Sequence, residues 1–220
     1  MNRQLPARSV TGIRIAALLL ATASLAGCGI LPKQETLALY DPTPQQMTFE
    51  HTADSAWPQV NWQLQISRPY ADTMHDSARI LVRAQPGELQ VYKGAAWTQP
   101  APDIVLDALV RGFADSGRLA GVARRGEGVS AQYELLLDLR RFESDYDNGE
   151  MPGARIELGA RLIHNADNRV VASRVFDVTT PASGTAVAQI NRAFEQSLGD
   201  TTAQLIGWTL SEGQRDAARR

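Results

Sequence analysis

The stretch that decides the fold runs from residue 133 to residue 140 and reads Tyr-Glu-Leu-Leu-Leu-Asp-Leu-Arg. Every second side chain from Tyr133 to Leu139 is apolar or aromatic, and most of the side chains between them are charged. Alternation with a period of two places the two sets on opposite faces of a β-strand. The sequence therefore predicts a long strand with one face buried.

Hairpins are predicted on both sides of this strand. Downstream, an alternating run over 156–162 turns at 165–168 and continues over 169–179. Upstream, strands at 79–84 and 89–92 flank Gln85-Pro86-Gly87-Glu88, where Pro followed by Gly is typical of a type II turn. Shorter strands are predicted at 36–40, 62–66 and 118–123.

Two helices complete the predicted fold. Apolar residues at spacings of three and four run from Val105 to Phe113, after two prolines and before Ser116-Gly117, and a second stripe covers 184–210. Strands, helix, strands and helix indicate one α/β domain of the α+β kind, over 36–210. Its sheet is expected to be mixed and largely antiparallel and to pack against the two main helices. Residues 211–220 are expected to form a polar, frayed tail.

The N-terminus has the features of a lipoprotein signal peptide. Residues 1–14 contain three arginines and no acid, 15–25 are apolar, and Leu25-Ala26-Gly27-Cys28 follows. Eleven apolar residues are too few to span a hydrocarbon core of ~30 Å. The tetrapeptide resembles the bacterial lipobox, in which the Cys thiol receives diacylglycerol, the chain is cut before it, and the new amine is acylated. We therefore expect signal residues 1–27, cleavage between Gly27 and Cys28, and an acylated tether over 28–35.

Cleavage changes the charge of the chain and leaves it without a reactive thiol. The formal net charge of −2 becomes −5, because 1–27 contain three arginines and no acid. Cys28 is the only cysteine, so no disulfide or thiol chemistry is expected. Two or three acyl chains, such as palmitate, anchor a protein firmly where one chain is marginal. This spread-out, slightly acidic charge balance argues against nucleic acid as a partner, because phosphate binding needs a basic excess on one face.

No motif in the sequence indicates an enzyme. His51, His75 and His164 are far apart, and His75-Asp76-Ser77 cannot form a triad because consecutive side chains do not converge. His75 is therefore interpreted as a loop residue. The acidic run over 143–150 lacks the spacing of a calcium-binding EF-hand, so it is interpreted as a solvated connection. Neither a metal nor a cofactor is expected, apart from the lipid on Cys28.

The order of motifs resembles the ABC-type transport auxiliary lipoprotein family. The resemblance rests on the lipobox, on Ile-Ser-Arg-Pro-Tyr at 66–70 before Ser-Ala-Arg-Ile at 77–80, and on 89–97 with the helix that follows. It implies a periplasmic lipoprotein that works beside an ABC transporter and an MCE-domain protein in moving lipids between the two membranes of Gram-negative bacteria. Nucleotide hydrolysis then belongs to another subunit.

Aromatic side chains are the candidates for contact with such a partner. Trp62, Trp97 and Trp208 are in register with apolar faces and are interpreted as core. Trp57 and Tyr70 flank loops that contain proline, and their amphipathic rings suit interfaces, so they are the predicted contact residues. The sequence leaves open whether the chain forms a homo-oligomer.

The sequence leaves two functions open. The first is a non-catalytic, anchored subunit of the transport system. The second is an independent lipid-binding or envelope-stress lipoprotein, for which an apolar cavity between sheet and helices would be expected. Residue 29 is Gly and not the Asp that resembles an inner-membrane retention signal, so we expect the periplasmic face of the outer membrane.

Replacing the predicted acyl acceptor tests the anchor. We expect Cys28→Ala to leave an uncleaved precursor without lipid, because the thiol accepts the diacylglycerol and marks the cleavage site. Labelling cells with a radioactive fatty acid measures this directly. Equal label on the wild type and on the variant would contradict the assignment.

Overall fold

The computed structural model describes residues 36–44, 57–147 and 149–219, and in them the chain forms nine strands and two helices. In chain order these are β1 (Ala38–Tyr40), β2 (Gln63–Ile66), β3 (Tyr70–Ala71), β4 (Arg79–Gln85), β5 (Glu88–Trp97), α1 (Ala101–Asp115), β6 (Gly121–Arg124), β7 (Tyr133–Asp145), β8 (Gly153–His164), β9 (Arg169–Pro181) and α2 (Val187–Ala217).

Strand β7 organises the sheet. One of its edges pairs antiparallel with β8 along the whole strand, and β8 pairs antiparallel with β9. Its other edge pairs in parallel with three strands in succession: β2 at its start, β3 in the middle and β4 at its end. β6 lies beyond β2, while β5 and β1 lie beyond β4. The sheet is therefore mixed, its long pairings are antiparallel, and the predicted fold class is confirmed.

A β-bulge lets β7 keep its apolar face toward the core over thirteen residues. The register with β8 shifts between Leu139 and Arg141, so one extra residue lies opposite β8. Leu139 and Phe142 are three positions apart, so regular alternation would place them on opposite faces. Both are nevertheless about 1% exposed and belong to the same core. An extra residue of this kind shifts the alternation of side chains between the two faces by one position. Glu143 and Asp145 consequently lie on the opposite face from Phe142.

Both helices cover the same face of the sheet. The apolar side chains of α1 and α2 form one buried cluster with the alternate residues of β7 and β8. Phe194 of α2 is fully buried, with its ring centroid 4.8 Å from Phe142 and 5.1 Å from Trp97. Burial of one such side chain contributes roughly 1.5–3 kcal/mol, so this aromatic group anchors α2 to the sheet.

The turns and helix starts follow the local chemistry of the sequence. Gly87 has a φ of +82°, which fits the third position of the predicted type II turn between β4 and β5. Helix α1 begins directly after Pro100 with Pro102 in its first turn, where a missing N–H costs nothing. It ends at Asp115 with Ser116 as the C-cap, and Gly117 has a φ of +59°, as expected for a helix stop.

The structure corrects the prediction at the C-terminus. Helix α2 begins at Val187 and continues to Ala217, seven residues past the expected end, so the segment predicted to fray is mostly helical. Gly213 and Asp216 in that segment are buried. A Cβ atom on Gly213 would lie 2.5 Å from the Trp62 indole, so glycine is what lets that ring pack against the helix. The polar composition of 211–220 hid these two buried positions.

Two further expectations are wrong in detail. Glu143, Ser144 and Asp145 belong to β7 and are buried, so the acidic run is not a solvated connection at its start. Tyr70 and the next residue form the short strand β3, which the sequence did not predict because Pro69 ends the apolar alternation. Pairing with β7 supplies the order that local sequence does not.

The described residues from Leu37 onward form one compact unit. None of the helices in the described ranges combines the length and the apolar character that crossing a membrane requires. The signal peptide, the cleavage position and Cys28 lie outside the described residues. Those assignments, and the domain limits built on them, stay predictions.

Candidate functional site

The face of the sheet opposite the helices is the candidate site. It displays the residues of β7 and β8 that alternate with the core positions, and most of them are charged or polar. In the described part of the chain no helix covers this face. Near its Glu143 end His75 of the 72–78 turn packs against it, and in its middle it is open. A surface of this kind can bind a partner.

A buried carboxylate joins three elements at the covered end. Glu143 of β7 has no exposed surface, and its two oxygens accept hydrogen bonds from Arg83 of β4 at 2.7 and 2.9 Å. Arg141 donates to the same carboxylate at 3.3 Å. His75 of the turn places Nε2 3.6 Å from it, which is an ion-pair distance. Its other ring nitrogen, Nδ1, lies 2.9 Å from Asp72.

The pKa values of this cluster show which charges the fold requires. Burial by itself would raise the pKa of Glu143, but the approach of His75 and the hydrogen bonds and charge of Arg83 outweigh it and lower the pKa to about 2. Burial would lower the pKa of His75, whereas Glu143 and Asp72 raise it above its ordinary value of 6.5. The two groups are therefore held as an ion pair in mildly acidic solution.

The segment that carries Tyr70 is fixed at both ends. Before it, Arg68 bonds to Asp103 in the first turn of α1 and to Asp76, each at 2.6 Å. After it, Asp72 accepts the backbone N–H of residue 74 at 2.8 Å, which closes the turn, and His75 then packs beside the buried carboxylate. Tyr70 is consequently presented on an ordered backbone even though its side chain is 73% exposed.

The open middle of the face contains a groove, which we call the Tyr70 groove. It has a volume of about 720 Å³, and its lining includes Tyr70, Arg140, Gly159, Arg161, Ser173 and Val175. Gly159 forms the floor because it has no side chain, and the Arg140 guanidinium lies 3.3 Å from the place that a Cβ would take. An exposed tyrosine and an exposed valine border a floor of backbone, which suits contact with another chain.

Positive charge without a local counter-charge borders the groove. Arg140 is paired with Asp138 at 3.0 Å and with Glu157 at 3.5 Å. Arg161 is exposed and has no acidic group within 4.0 Å among the residues the structure describes. Arg174 lies on the opposite, helix side of the sheet, where its guanidinium is over the Phe176 ring at 4.9 Å and Asp200 and Glu212 of α2 line the same pocket. The groove is therefore both apolar and locally basic, in a chain that is acidic as a whole.

The residues singled out from the sequence fall into three places. Gly27 and Cys28 lie outside the described residues. Tyr70 borders the groove on the helix-free face. Trp57 lies on the other side of the sheet, half-buried against α2, and its indole nitrogen is 2.5 Å from where a Cβ on Gly207 would be. The two contact candidates therefore do not share one surface, and contact of either with a partner stays a prediction.

The expected core aromatics are largely confirmed. Trp62 and Trp97 are 4% and 1% exposed. Trp208 is partly buried and packs against the core, with its ring 5.8 Å from Phe176. His75 lies in a turn as expected, but its ring is 5% exposed and paired, which the sequence did not indicate.

Sequence reasoning missed the rest of the site. His75 and Glu143 are 68 positions apart, so nothing local connects them. Arg161 and Val175 looked like ordinary outward positions of a hairpin. Gly159 was the one available signal, because a glycine inside an alternating strand often marks close approach of another group.

Removing the buried carboxylate tests the cluster. We expect Glu143→Gln to lower the free energy of unfolding by about 3 kcal/mol at pH 5.5, because it leaves Arg83 and His75 without their counter-charge. Wild-type stability should be lost as pH falls from 4.5, the ordinary pKa of a Glu, toward 2. It should also decline as pH rises from 6.5 through the raised pKa of His75. Urea titrations between pH 2 and 8 measure both slopes.

The matched control is Glu127→Gln, which alters an exposed ion pair with Arg124. We expect it to cost less than about 1 kcal/mol. Equal losses in the two variants, or an unchanged acid slope in Glu143→Gln, would contradict the role assigned to the cluster.

Comparison with known proteins agrees with this architecture. Protein XCC0632 from Xanthomonas campestris is 50% identical, its crystal structure superposes with a TM-score of 0.77, and the match covers 82% of this chain and 99% of that one. A second crystal structure of an uncharacterized protein shares the fold, with a TM-score of 0.59, 12% identity, and coverage of 78% and 97%. The uncharacterized protein bll6063 from Bradyrhizobium diazoefficiens is 28% identical over 188 residues. The match takes 83% of this chain but spans only half the length of that relative.

The sequence model that matches is that of a transport family. It is described as the ABC-type transport auxiliary lipoprotein component and covers residues 42–206, which include strands β2 to β9 and most of α2. This is the family that the order of motifs resembled. With three quarters of its length matched, the chain belongs to the ABC-type transport auxiliary lipoprotein family.

Proposed function

We propose that the chain is a non-catalytic subunit of an ABC/MCE-type intermembrane lipid transport system, tethered through acylated Cys28 to the periplasmic face of the outer membrane. In this role it binds the MCE-domain protein of the system through the Tyr70 groove. The observation that carries the proposal is the ordered, helix-free sheet face with Tyr70 exposed on it, in a chain of this family.

The geometry favours a binding subunit over an independent lipid carrier. The apolar side chains of sheet and helices form one close-packed cluster. The groove outside that cluster is open and bordered by arginine and aspartate side chains, which suits a protein segment better than acyl chains. The buried ionisable cluster around Glu143 is fully used in joining β4, β7 and the 72–78 turn, so we assign it to positioning and not to catalysis.

Apolar and aromatic contacts are expected to supply most of the affinity. Charge on a binding surface mainly raises the association rate and is screened by salt, whereas burial of a tyrosine ring is not. A subunit that holds a partner in place needs a slow dissociation rate more than fast capture. Binding is therefore expected to persist at ~0.5 M salt, where the Debye length falls to about 4 Å.

A pull-down with the MCE-domain protein encoded beside this gene tests the proposal. The bait is the soluble form, residues 29–220, at low and at high ionic strength. We expect Tyr70→Ala to weaken binding by about tenfold or more, as for a buried aromatic at an interface. The control is Gln196→Ala on the exposed side of α2, which should bind like the wild type.

Two results would contradict the proposal. Complete loss of wild-type binding at ~0.5 M salt would indicate association driven by charge. No binding at either ionic strength, together with lipid that co-purifies with the soluble form, would favour the independent lipid-binding lipoprotein.

A further inference from the structure

Strand β9 is an open edge of the sheet. In the described part of the chain it pairs with β8 and with no other strand. Just beyond it, the N–H of Ala182 donates to the carbonyl of Pro152 at 2.9 Å, and these two residues continue the β8–β9 register. Opposed residue pairs along an antiparallel ladder are alternately hydrogen-bonded and non-hydrogen-bonded. Counting back from Ala182, the even-numbered residues of β9 therefore bond to β8. The odd-numbered residues Ser173, Val175 and Asp177 therefore direct their N–H and C=O groups away from the sheet.

Pro181 supports this assignment. It occupies an outward-facing position at the end of β9, where a missing N–H removes no ladder bond. The next outward positions along the strand are not blocked in this way. Ser173, Arg174 and Val175 are all exposed, and Val175 retains 48% of its surface. A stretch with unpaired N–H and C=O groups is a template on which another strand can pair.

The side chains beside this edge define what would bind there. Ser173 and Val175 are also part of the Tyr70 groove, so the open edge and the exposed tyrosine form one continuous surface. Arg161 borders the same stretch on the groove face and has no ion-pair partner within 4.0 Å in the described ranges. A complementary segment is therefore extended, places an apolar side chain against Val175 at the β9 end of the Tyr70 groove, and carries an acidic side chain for Arg161.

We propose that the β9 edge binds an extended, acidic segment of the partner protein by strand addition at Ser173–Asp177. Backbone hydrogen bonds to Val175 supply the register, the β9 end of the Tyr70 groove takes an alternate apolar side chain, and Arg161 selects for acid. The inference rests on the proposed function, because it specifies how the partner binds at the same surface. It adds that the contact is made through the backbone, which the exposure of Tyr70 alone does not imply.

A proline at the central outward position separates backbone pairing from side-chain contact. Val175→Pro removes an N–H that points to solvent and leaves the bonds between β8 and β9 in place. The control, Val175→Thr, keeps both the N–H and the β-branched shape. With the full-length acylated protein in detergent and the neighbouring MCE-domain protein as probe, we expect at least about tenfold weaker binding for the proline variant and about twofold or less for the threonine variant.

Hydrogen exchange on the wild type gives a readout that does not depend on any variant being well folded. On complex formation, the amides of Ser173, Val175 and Asp177 should become protected, while the alternate amides are already protected by β8. Thermal unfolding of Val175→Pro is measured in parallel, so that a loss of binding is scored only for folded protein.

The preference for an acidic partner segment predicts a specific dependence of binding on salt. We expect Arg161→Glu to bind several-fold more weakly than wild type at ~0.05 M salt and almost equally at ~0.5 M, because rim charges are screened. A charge-reversed variant that binds more tightly at low salt would overturn the acidic character of the partner segment.

The outcomes separate this inference from the function it rests on. If the wild type does not bind the MCE-domain protein at all, both are contradicted. If the wild type and Val175→Pro bind equally and the outward amides of β9 stay unprotected, strand addition is wrong while the proposed function stands. Protection of these amides by a second copy of this chain, without the partner, would also overturn the inference.

Discussion

The architecture depends on one buried charge. Glu143 lies near the end of β7, where β4 pairs with that strand. Its carboxylate can be buried only because Arg83 and Arg141 neutralise it and His75 lies beside it. Taking a single carboxylate out of water costs several kcal/mol, so each of these partners is required where it is. The arrangement fixes the parallel pairing of β4 with β7 and ties the 72–78 turn to the sheet. Tyr70, which lies between that turn and the Arg68 anchor, receives its position from the same constraint.

Covering one face of the sheet and leaving the other open divides the molecule into two parts. The covered side is a packed core closed by α1 and α2, where Phe194 and Phe142 stack at 4.8 Å. The open side carries paired charges, a glycine floor and an exposed tyrosine, and in the described residues it ends at β9, whose outer edge has no strand partner. A protein that only had to fold would gain by covering that side as well, since exposed strand edges invite association. Binding of a partner explains why the helix-free face stays uncovered in a chain of the auxiliary lipoprotein family.

The sequence predicted the parts of the fold that depend on local pattern. The alternation at 133–139 identified β7, and the prolines and glycine around α1 identified both of its ends. It failed where long-range contacts decide. The polar residues after 210 stay helical because Gly213 admits the Trp62 ring, and the acidic residues after 142 stay in the strand because arginines from other elements neutralise them. The groove was predicted only through Tyr70, since its other walls come from a hairpin about ninety residues further along the chain.

Site-specific photo-crosslinking in cells tests the central claim, that the helix-free face is the surface on which the partner binds. A photoreactive phenylalanine analogue is placed at Tyr70 and, in a separate strain, at Gln196 on the exposed side of α2. The account predicts that the Tyr70 position crosslinks to the MCE-domain protein encoded beside this gene and that the Gln196 position does not. Crosslinks to that protein from Gln196 and none from Tyr70 would contradict the account.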